Sequence, residues 1–403
     1  MGGTRMVRGD EDSKLRIAMV AACPFPWPRG TPVRIFRLAE GLHKLGHDVH
    51  VITYHLGDTT TPVEFKVHRI RRVPSYNEVA PGPTLQKLTV VDLLLWRKVR
   101  QFLARTPVDL IHAHHYEGLL AAYAAGRLCK VPMIYDAHTL LGGELPHYRI
   151  GLPRRFTKSV GMRLDRILPH LANHTIAVSR QIERTLCGPA GLQPQCVSVI
   201  PNGVELEVFQ PKRHIGEGHA RDDNVIVYAG SLAPYQGIDL LLQAFAILLR
   251  TRPQCRLRLV TESSFRPYEA LARELGIGER IEVVNCAFSG LPEHLHRARL
   301  VVNPRVDCDG LPQKLLNYMA AGAPIVSFAG SAKSLVHERN GLVAKDRDVE
   351  AFAGAMARLL DDPSLCDSLG AQALQTVRER GWDVVAQQVA QVYREVLKGR
   401  AAP

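Results

Sequence analysis

Residues 224–245 read NVIVYAGSLAPYQGIDLLLQAF, and this stretch decides the fold class. An apolar run ends at Ala229, a turn carries Gly230 and Ser231, and a helical pattern begins after Gly237. A buried strand followed by a short loop and an apolar helix is typical of the parallel sheets of α/β proteins. The stretch therefore predicts one βα unit of a parallel sheet.

A second βα unit is predicted at residues 301–322, VVNPRVDCDGLPQKLLNYMAAG, with a helix whose first turn lies near Pro312. The N–H groups at the start of a helix favour anions, so two such helix starts at one edge of a sheet predict a cradle for a diphosphate. Asp309 and Asn317 are then expected to hold sugar or ribose hydroxyls. Each segment alone also fits an ordinary βα turn.

Strands and helices alternate along most of the 403 residues, a length that exceeds what one hydrophobic core usually fills. Two Rossmann-like, doubly wound α/β domains in tandem are expected, with ligands beyond the carboxyl ends of the strands. The predicted divisions are a polar tail at 1–14, a first domain at 15–204, a linker at 205–224, a second domain at 225–382 and a last helix at 383–403.

The net charge of +12 is concentrated in the first half, because residues 1–205 hold 27 Lys and Arg against 16 Asp and Glu. This half is expected to meet something anionic, such as phosphate or an anionic membrane surface. Nucleic acid is not expected, since no recognition module accompanies the charge. Eight cysteines without metal-binding spacing predict free thiols in the cytoplasm, and no segment reads as a signal peptide or a bilayer span.

Candidate ligand groups follow the strands of the first domain. The loop CPFPWPRGTPVR at 23–34 places Gly30 and Thr31 before a helix, where backbone N–H groups suit an anion; a Pro-rich connecting loop is the alternative. His138, in YDAHTL, follows a strand and is expected to hydrogen-bond a polar ligand. The absence of a GxGxxG motif argues against a dinucleotide-dependent oxidoreductase.

Histidines are dense in HAHHYEG, which contains His112, His114 and His115. A metal cluster is one interpretation. The favoured one is that His112 and His114 are strand-end residues with satisfied hydrogen bonds, because zinc sites need a closed ligand set with definable spacing.

Residues 153–171, PRRFTKSVGMRLDRILPHL, form an amphipathic helical pattern. Its apolar stripe consists of Phe156, Val160, Leu164, Ile167 and Leu171. The basic residues that lie largely off the stripe are Arg154, Arg155, Lys158 and Arg166. Two interpretations stay open: a core-facing helix with a solvated basic face, which is favoured, or a helix that lies on an anionic membrane and presents a lipid-linked acceptor.

Five segments, in this order, resemble the GT-B glycosyltransferases of glycosyltransferase family 4. They are VIPNGVELEVFQP (199–211), YAGSLAPYQGIDLLLQAF (228–245), GLPQKLLNYMAAGAPIVS (310–327), NGLVA (340–344) and GWDVVAQQVAQVYREVL (381–397). The resemblance extends across nearly the whole chain, and the combination is more specific than any single segment.

The resemblance implies an α/β GT-B fold, in which two Rossmann-like domains face each other across a cleft. It implies a nucleotide-sugar donor bound mainly by the second domain, an acceptor bound mainly by the first, and a last helix that crosses back onto the first. The implied reaction transfers a hexosyl group, with retention of configuration, to a hydroxyl of a glycan, lipid-linked or small-molecule acceptor. No metal or other cofactor is implied, since helix ends and basic side chains replace the cation.

The resemblance carries over unevenly at the expected phosphate site. Ser231 and Gln236 stand where the family usually has two cations in the turn after Gly230. Arg305 and Lys314 are the nearby basic residues that are expected to hold the phosphate instead.

The family's two glutamates, eight positions apart, fall on Asp309 and Asn317. His138 aligns with a family histidine near the donor sugar, and the loop at Gly30 and Thr31 with one that closes over the diphosphate. The resemblance thus assigns catalytic roles to His138 and Asp309. It assigns donor binding to Gly30, Thr31, Gly230, Ser231, Gln236, Arg305, Lys314 and Asn317.

Two other interpretations remain open at this point. The changes at Ser231, Gln236 and Asn317 are also expected in a non-catalytic protein that binds a nucleotide sugar or a glycan through a decayed site. A sugar-nucleotide epimerase with the GT-B fold is the less favoured alternative, because the linker and C-terminal segments resemble the transferases.

Overall fold

The computed structural model describes residues 14–27, 30–60, 62–78, 84, 86–148, 152–210, 221–308 and 311–401. These residues divide into two compact units. One contains the chain up to Asn202 together with the chain from Trp382 onward, and the other is Gly203–Gly381.

The first unit contains a parallel seven-stranded sheet in the order β3-β2-β1-β4-β5-β6-β7. Its strands are β1 Arg16–Ala21, β2 Asp48–Thr53, β3 Lys66–Arg69, β4 Leu110–His114, β5 Met133–Ala137, β6 His174–Ala177 and β7 Val197–Val199. The order reverses between β1 and β4, which is where ligands of doubly wound sheets bind.

Helices cover both faces of this sheet. They are α1 Thr31–Lys44, α2 Asp92–Arg105, α3 His115–Cys129, α4 Leu141–Glu144, α5 Arg154–Ile167, α6 Arg180–Cys187 and the last helix of the chain, α14 Trp382–Ala401. Alternate residues of β1 serve the two faces: Ile17 and Met19 pack with α1 and α14, whereas Ala18 and Val20 pack with α2 and α3. Both faces are therefore apolar, as a buried parallel sheet requires.

The second unit contains a parallel six-stranded sheet in the order β10-β9-β8-β11-β12-β13. Its strands are β8 Asp222–Ala229, β9 Arg256–Val260, β10 Ile281–Val284, β11 Ala298–Asn303, β12 Ile325–Phe328 and β13 Leu342–Ala344. Its helices are α7 Leu206–Phe209, α8 Ile238–Leu249, α9 Glu269–Glu274, α10 Leu291–Arg297, α11 Gln313–Ala320, α12 Val349–Asp361 and α13 Pro363–Val377. The order reverses between β8 and β11, so the two βα units singled out in the sequence lie at this reversal.

The predicted fold class, two Rossmann-like doubly wound α/β domains, is confirmed. Helix α13 was not predicted, although its start carries a recognisable signal. Asp362 accepts a hydrogen bond from the N–H of Leu365, and Pro363 occupies the first helical position. None of the helices in the described part of the chain combines the length and apolar character that a membrane crossing requires.

Candidate active site

The loop after β8 in the second unit is shaped by Gly237. This residue has φ +73°, and a Cβ atom there would lie 2.2 Å from the carbonyl oxygen of Pro304, in the loop after β11. Both the left-handed backbone and the close approach require glycine. The two loops are thereby held against each other at the carboxyl ends of β8 and β11.

Lys314, in the first turn of α11, reaches the loop after β8. Its Nζ donates to Gln236 Oε1 at 2.7 Å and to the hydroxyl of Tyr228 at 2.8 Å. Tyr228 in turn donates to the carbonyl oxygen of Ser231 at 2.6 Å. The lysine from one βα unit is therefore built into the turn of the other.

Lys314 has neutral partners only: no carboxylate pairs with it among the described residues. Burial lowers the pKa of its amino group to about 7, with a further contribution from the charge of Arg305. The guanidinium of Arg305 lies 5.1 Å from the ring centre of Tyr235, and its Nε donates to the carbonyl oxygen of Asp307. Two basic groups without a described counter-ion thus lie at the carboxyl edge of this sheet, which is the electrostatic setting of an anion site.

Asn317 lies one turn further along α11 and is buried. Gln313 donates from Nε2 to Asn317 Oδ1 at 3.5 Å and to the carbonyl oxygen of Gly203 at 2.9 Å. At the end of β11, Asn303 donates to the hydroxyls of Ser327 and Ser331 at 2.9 and 2.8 Å, while its buried Oδ1 has no described partner. Asp309, the other candidate catalytic residue of this unit, lies outside the described residues.

In the first unit, a buried polar network surrounds Asp136 at the end of β5. Arg34 of α1 donates from Nε to Asp136 Oδ2 at 3.0 Å, and both side chains are almost fully buried. His112 Nε2 and His114 Nδ1 lie 3.4 and 3.6 Å from the same oxygen, and Tyr393 of α14 lies 2.7 Å from the Nδ1 of His112. This network connects three strand and helix ends.

His138 directly follows β5 and joins the network through His114, whose Nδ1 lies 3.3 Å from its Nε2. Burial, together with the charge of Arg34, lowers the pKa of His138 to about 3, although Asp136 opposes the shift. Burial alone would raise the pKa of Asp136, but Arg34 and the histidines hold it well below its usual range. At neutral pH, Asp136 is therefore an anion paired with Arg34, and His138 is an uncharged imidazole.

His112, His114 and Asp136 also have the mutual distances of a metal-ligand set, with donor atoms within 4.8 Å of one another. Arg34 already donates to the carboxylate oxygen that faces both rings, so a cation between them would be repelled by the guanidinium. We therefore describe the cluster as a hydrogen-bonded network. The prediction of satisfied strand-end histidines was partly wrong, since the Nε2 atoms of His112 and His114 are buried without a described hydrogen-bond partner.

A second polar cluster at the same edge was missed by the sequence analysis. His115 has φ +63°, an uncommon value for a residue other than glycine, and its Nδ1 lies 2.7 Å from Glu117 Oε2. Its Nε2 lies 3.4 Å from Glu144, and Lys87 donates to the other oxygen of Glu117. Burial would lower the pKa of His115, but these carboxylates raise it to about 10. The HHYEG motif was a signal for this cluster, whereas the contributions of Lys87 and Glu144 depend on the tertiary fold.

The remaining candidates lie where the sequence placed them along the chain. Gly30, with φ +55°, immediately precedes α1, and Thr31 is its first residue. Gly230 ends the strand-to-loop transition of β8 with φ +138°, and a Cβ atom there would lie 3.2 Å from Lys314 Nζ. The structure thus brings Gly230, Gln236 and Lys314 together, and it places His138 in the network of Asp136.

Known proteins share these features. A model of Glycosyltransferase Family 4 matches residues 28–208, and a model of glycosyl transferases group 1 matches residues 223–362. The D-inositol 3-phosphate glycosyltransferase of Kineococcus radiotolerans is 26% identical over 93% of this chain and 92% of its own.

Two solved structures resemble the fold closely. The sucrose-phosphate synthase from Thermosynechococcus elongatus has a TM-score of 0.80 and 21% identity, covering 96% of this chain and 100% of that one. Anabaena HepE in complex with UDP has a TM-score of 0.73 and 18% identity, covering 94% and 100%.

The two doubly wound units and these matches together define a GT-B glycosyltransferase that uses a nucleotide sugar as its donor. The two family models match consecutive parts of the chain and together span most of it. The protein belongs to glycosyltransferase family 4.

Proposed function

We propose that this protein transfers a hexosyl group from a nucleoside diphosphate sugar to a hydroxyl acceptor, with retention of configuration, and that Lys314 holds the donor diphosphate. One observation carries the proposal. Gln236 occupies the position where the resemblance expects a lysine, and the ammonium group of Lys314 lies 2.7 Å from its side-chain oxygen. The cation missing from the loop in sequence is thus supplied to the same turn from another helix.

The proposed role of Lys314 and Arg305 is to stabilise the leaving group. When the bond between the sugar and the diphosphate breaks, negative charge develops on the departing phosphate oxygen. Fixed positive groups lower the free energy of that state more than that of the bound donor. The first-turn N–H groups of α8 and α11, which have no intrahelical acceptors, are proposed to add to this stabilisation.

For retention, the acceptor oxygen forms its bond to the anomeric carbon on the face that the phosphate leaves. The acceptor proton then passes to the departing phosphate oxygen, so that protons and charges balance without a separate base. We assign His138 the task of hydrogen-bonding the transferred sugar. An uncharged imidazole suits this task, because its ring nitrogens offer one donor and one acceptor.

The acceptor is proposed to be a glycan or lipid-linked molecule of the cell envelope, or a small polyol. The curated relative from Kineococcus is named for an inositol phosphate acceptor, which makes phosphorylated polyols a reasonable first class to test. No bound metal is proposed, because Lys314 and Arg305 supply positive charge at the expected diphosphate position.

Thermal unfolding against a panel of nucleotide sugars tests the donor site, since a ligand that binds only the folded protein raises its melting temperature. We expect stabilisation by at least one nucleotide sugar and, in Lys314→Ala, a dissociation constant raised by about tenfold or more. Gln236→Ala serves as the matched control in the same turn, because it removes a neutral partner and keeps the cation. Unchanged donor affinity in Lys314→Ala would remove the lysine from the site.

Turnover separates the remaining functions. Product formed from a stabilising donor and a hydroxyl acceptor, analysed by NMR for anomeric configuration, supports the proposal when configuration is retained. Stabilisation without transfer to any acceptor class would favour the non-catalytic binding protein. Conversion of the donor sugar in the absence of acceptor would favour the epimerase.

A further inference from the structure

Helix α5 of the first unit is amphipathic in an unusual sense, because large apolar side chains lie on its exposed side. Phe156, Met162 and Ile167 are 55%, 43% and 60% exposed, and Leu152, just before the helix, is 54% exposed. The fully buried residues of α5 are small: Thr157 and Gly161. The apolar stripe predicted from sequence is therefore divided, since Val160 and Leu164 pack towards the core while its ends remain in solvent.

The same exposed surface is strongly basic. Five cations project from α5 in exposed positions: Arg154, Arg155, Lys158, Arg163 and Arg166. None of them forms an ion pair with a described residue. The single acid of the helix, Asp165, accepts hydrogen bonds from the N–H groups of Leu141 and Gly142 at 2.8 Å, so its charge is directed towards α4.

This combination identifies a class of partner. A surface that only bound phosphates, as on a nucleic acid, would need the cations but would gain nothing from exposed Phe, Ile and Met side chains. A bilayer interface with anionic lipids accommodates both, because headgroups neutralise the basic side chains and the upper acyl region receives the apolar ones. We propose that α5 docks this protein on an anionic phospholipid surface.

The position of α5 relates this surface to the active site of its own unit. Gly161 packs so closely that a Cβ atom there would lie 2.5 Å from the backbone of Leu141, at the start of α4. The loop that leads from His138 to α4 is therefore fixed directly beside the docking helix. This placement rests on the proposed function, and it favours an acceptor that reaches the first unit from the lipid surface.

Co-sedimentation of the full chain with vesicles tests the proposal. We expect binding to vesicles of phosphatidylglycerol mixed with phosphatidylcholine, weak or no binding to phosphatidylcholine alone, and weaker binding at high salt. The triple variant Arg155→Gln, Arg163→Gln, Arg166→Gln should lower the vesicle partition coefficient by about tenfold or more. The double variant Phe156→Ser, Ile167→Ser should lower the binding that remains at high salt.

The matched control removes the same charge from another helix of the same unit. Arg97, Arg100 and Arg105 are exposed on α2, and their triple change to Gln should leave vesicle binding within about twofold of the wild type. An equal loss in both triple variants would reduce the effect to net charge and overturn the proposal. So would the absence of any vesicle association, or tight binding of a duplex oligonucleotide in its place.

Donor binding distinguishes this proposal from the proposed function. The α5 variants should keep the wild-type melting temperature and its increase with the nucleotide sugar, because none of the changed residues lies in the second unit. Vesicle binding without donor stabilisation would support the surface and contradict the transferase proposal. Donor stabilisation without vesicle binding would do the reverse.

Discussion

Lys314 illustrates how a charge can be moved between elements of a fold. Its amino group lies beside a tyrosine hydroxyl and an amide oxygen, and burial holds its pKa at about 7. A buried cation without a carboxylate partner is costly unless an anion arrives. The low pKa and the proposed diphosphate site are therefore two consequences of one arrangement.

This arrangement predicts a pH dependence of donor affinity. The nucleotide sugar should bind the protonated lysine, so the fraction of competent protein falls as pH rises through about 7. With that pKa in the free protein, the dissociation constant should increase about fivefold from pH 7 to pH 8. Isothermal titration in buffers of different ionisation enthalpy should also detect proton uptake on binding.

Lys314→Arg is the control for this effect, since a guanidinium stays charged over the whole range. Its donor affinity, even if weaker, should be nearly independent of pH between 6 and 8. A wild-type affinity that is flat over this range would show that the lysine is charged throughout or does not contact the donor.

Sequence reasoning reached Lys314 and Arg305 as candidates because they flank the expected phosphate position along the chain. It could not predict Tyr228 as the partner of Lys314, because that contact joins residues 86 positions apart through the fold. Asn317 was expected to offer its amide to a hydroxyl. In the structure its carbonyl oxygen already accepts from Gln313.

The loops after β8 and β11 depend on each other through Gly237. Replacing Gly237 with Ala would force a Cβ into the carbonyl of Pro304 and would strain a backbone at φ +73°. We expect a loss of about 2 kcal/mol or more in the free energy of unfolding, measured by urea denaturation. Donor stabilisation should weaken as well, because Gln236 and Arg305 lie on the two displaced loops.

Gly354→Ala provides the matched control. This glycine lies within α12, and a Cβ atom there meets nothing within 4 Å. The same chemical change should therefore raise the free energy of unfolding by about 0.5–1 kcal/mol. Equal destabilisation at both positions would contradict the role given to Gly237.

The alternation of strands and helices was accessible from sequence because apolar runs and helical periodicities differ in length. Helix α13 escaped prediction because its buried side includes the small residues Gly370 and Ala373, which give a weak apolar signal. The cluster around His115 escaped for a different reason. Its members come from α3, α4 and the π-helical turn before α2, and only the folded sheet brings them together.

The first unit is discontinuous in sequence, since α14 completes it after the whole second unit. Val385, Val389 and Tyr393 of α14 share a buried core with β1 and α1. Tyr393 also reaches His112 beneath the network of Asp136. The second unit, by contrast, is formed by one continuous segment, Gly203–Gly381.

This difference predicts how fragments behave. Residues 203–381 produced alone should unfold cooperatively and should still be stabilised by the nucleotide sugar. Residues 1–202 alone should be aggregation-prone, because they lack the helix that covers an apolar face. A chain that joins 202 to 382 through a short Gly-Ser linker should recover a cooperative transition in urea; a fully stable 1–202 fragment would contradict the prediction.

The late return of α14 also has a consequence for biosynthesis. At about 5–20 residues per second, the ribosome needs roughly 10–40 s to make the second unit after Asn202 has been added. During that interval the face formed by α1 and β1 has no cover, while the segment that follows it can already fold. The nascent first half is therefore a natural client for a chaperone that binds apolar surfaces and releases them when synthesis ends.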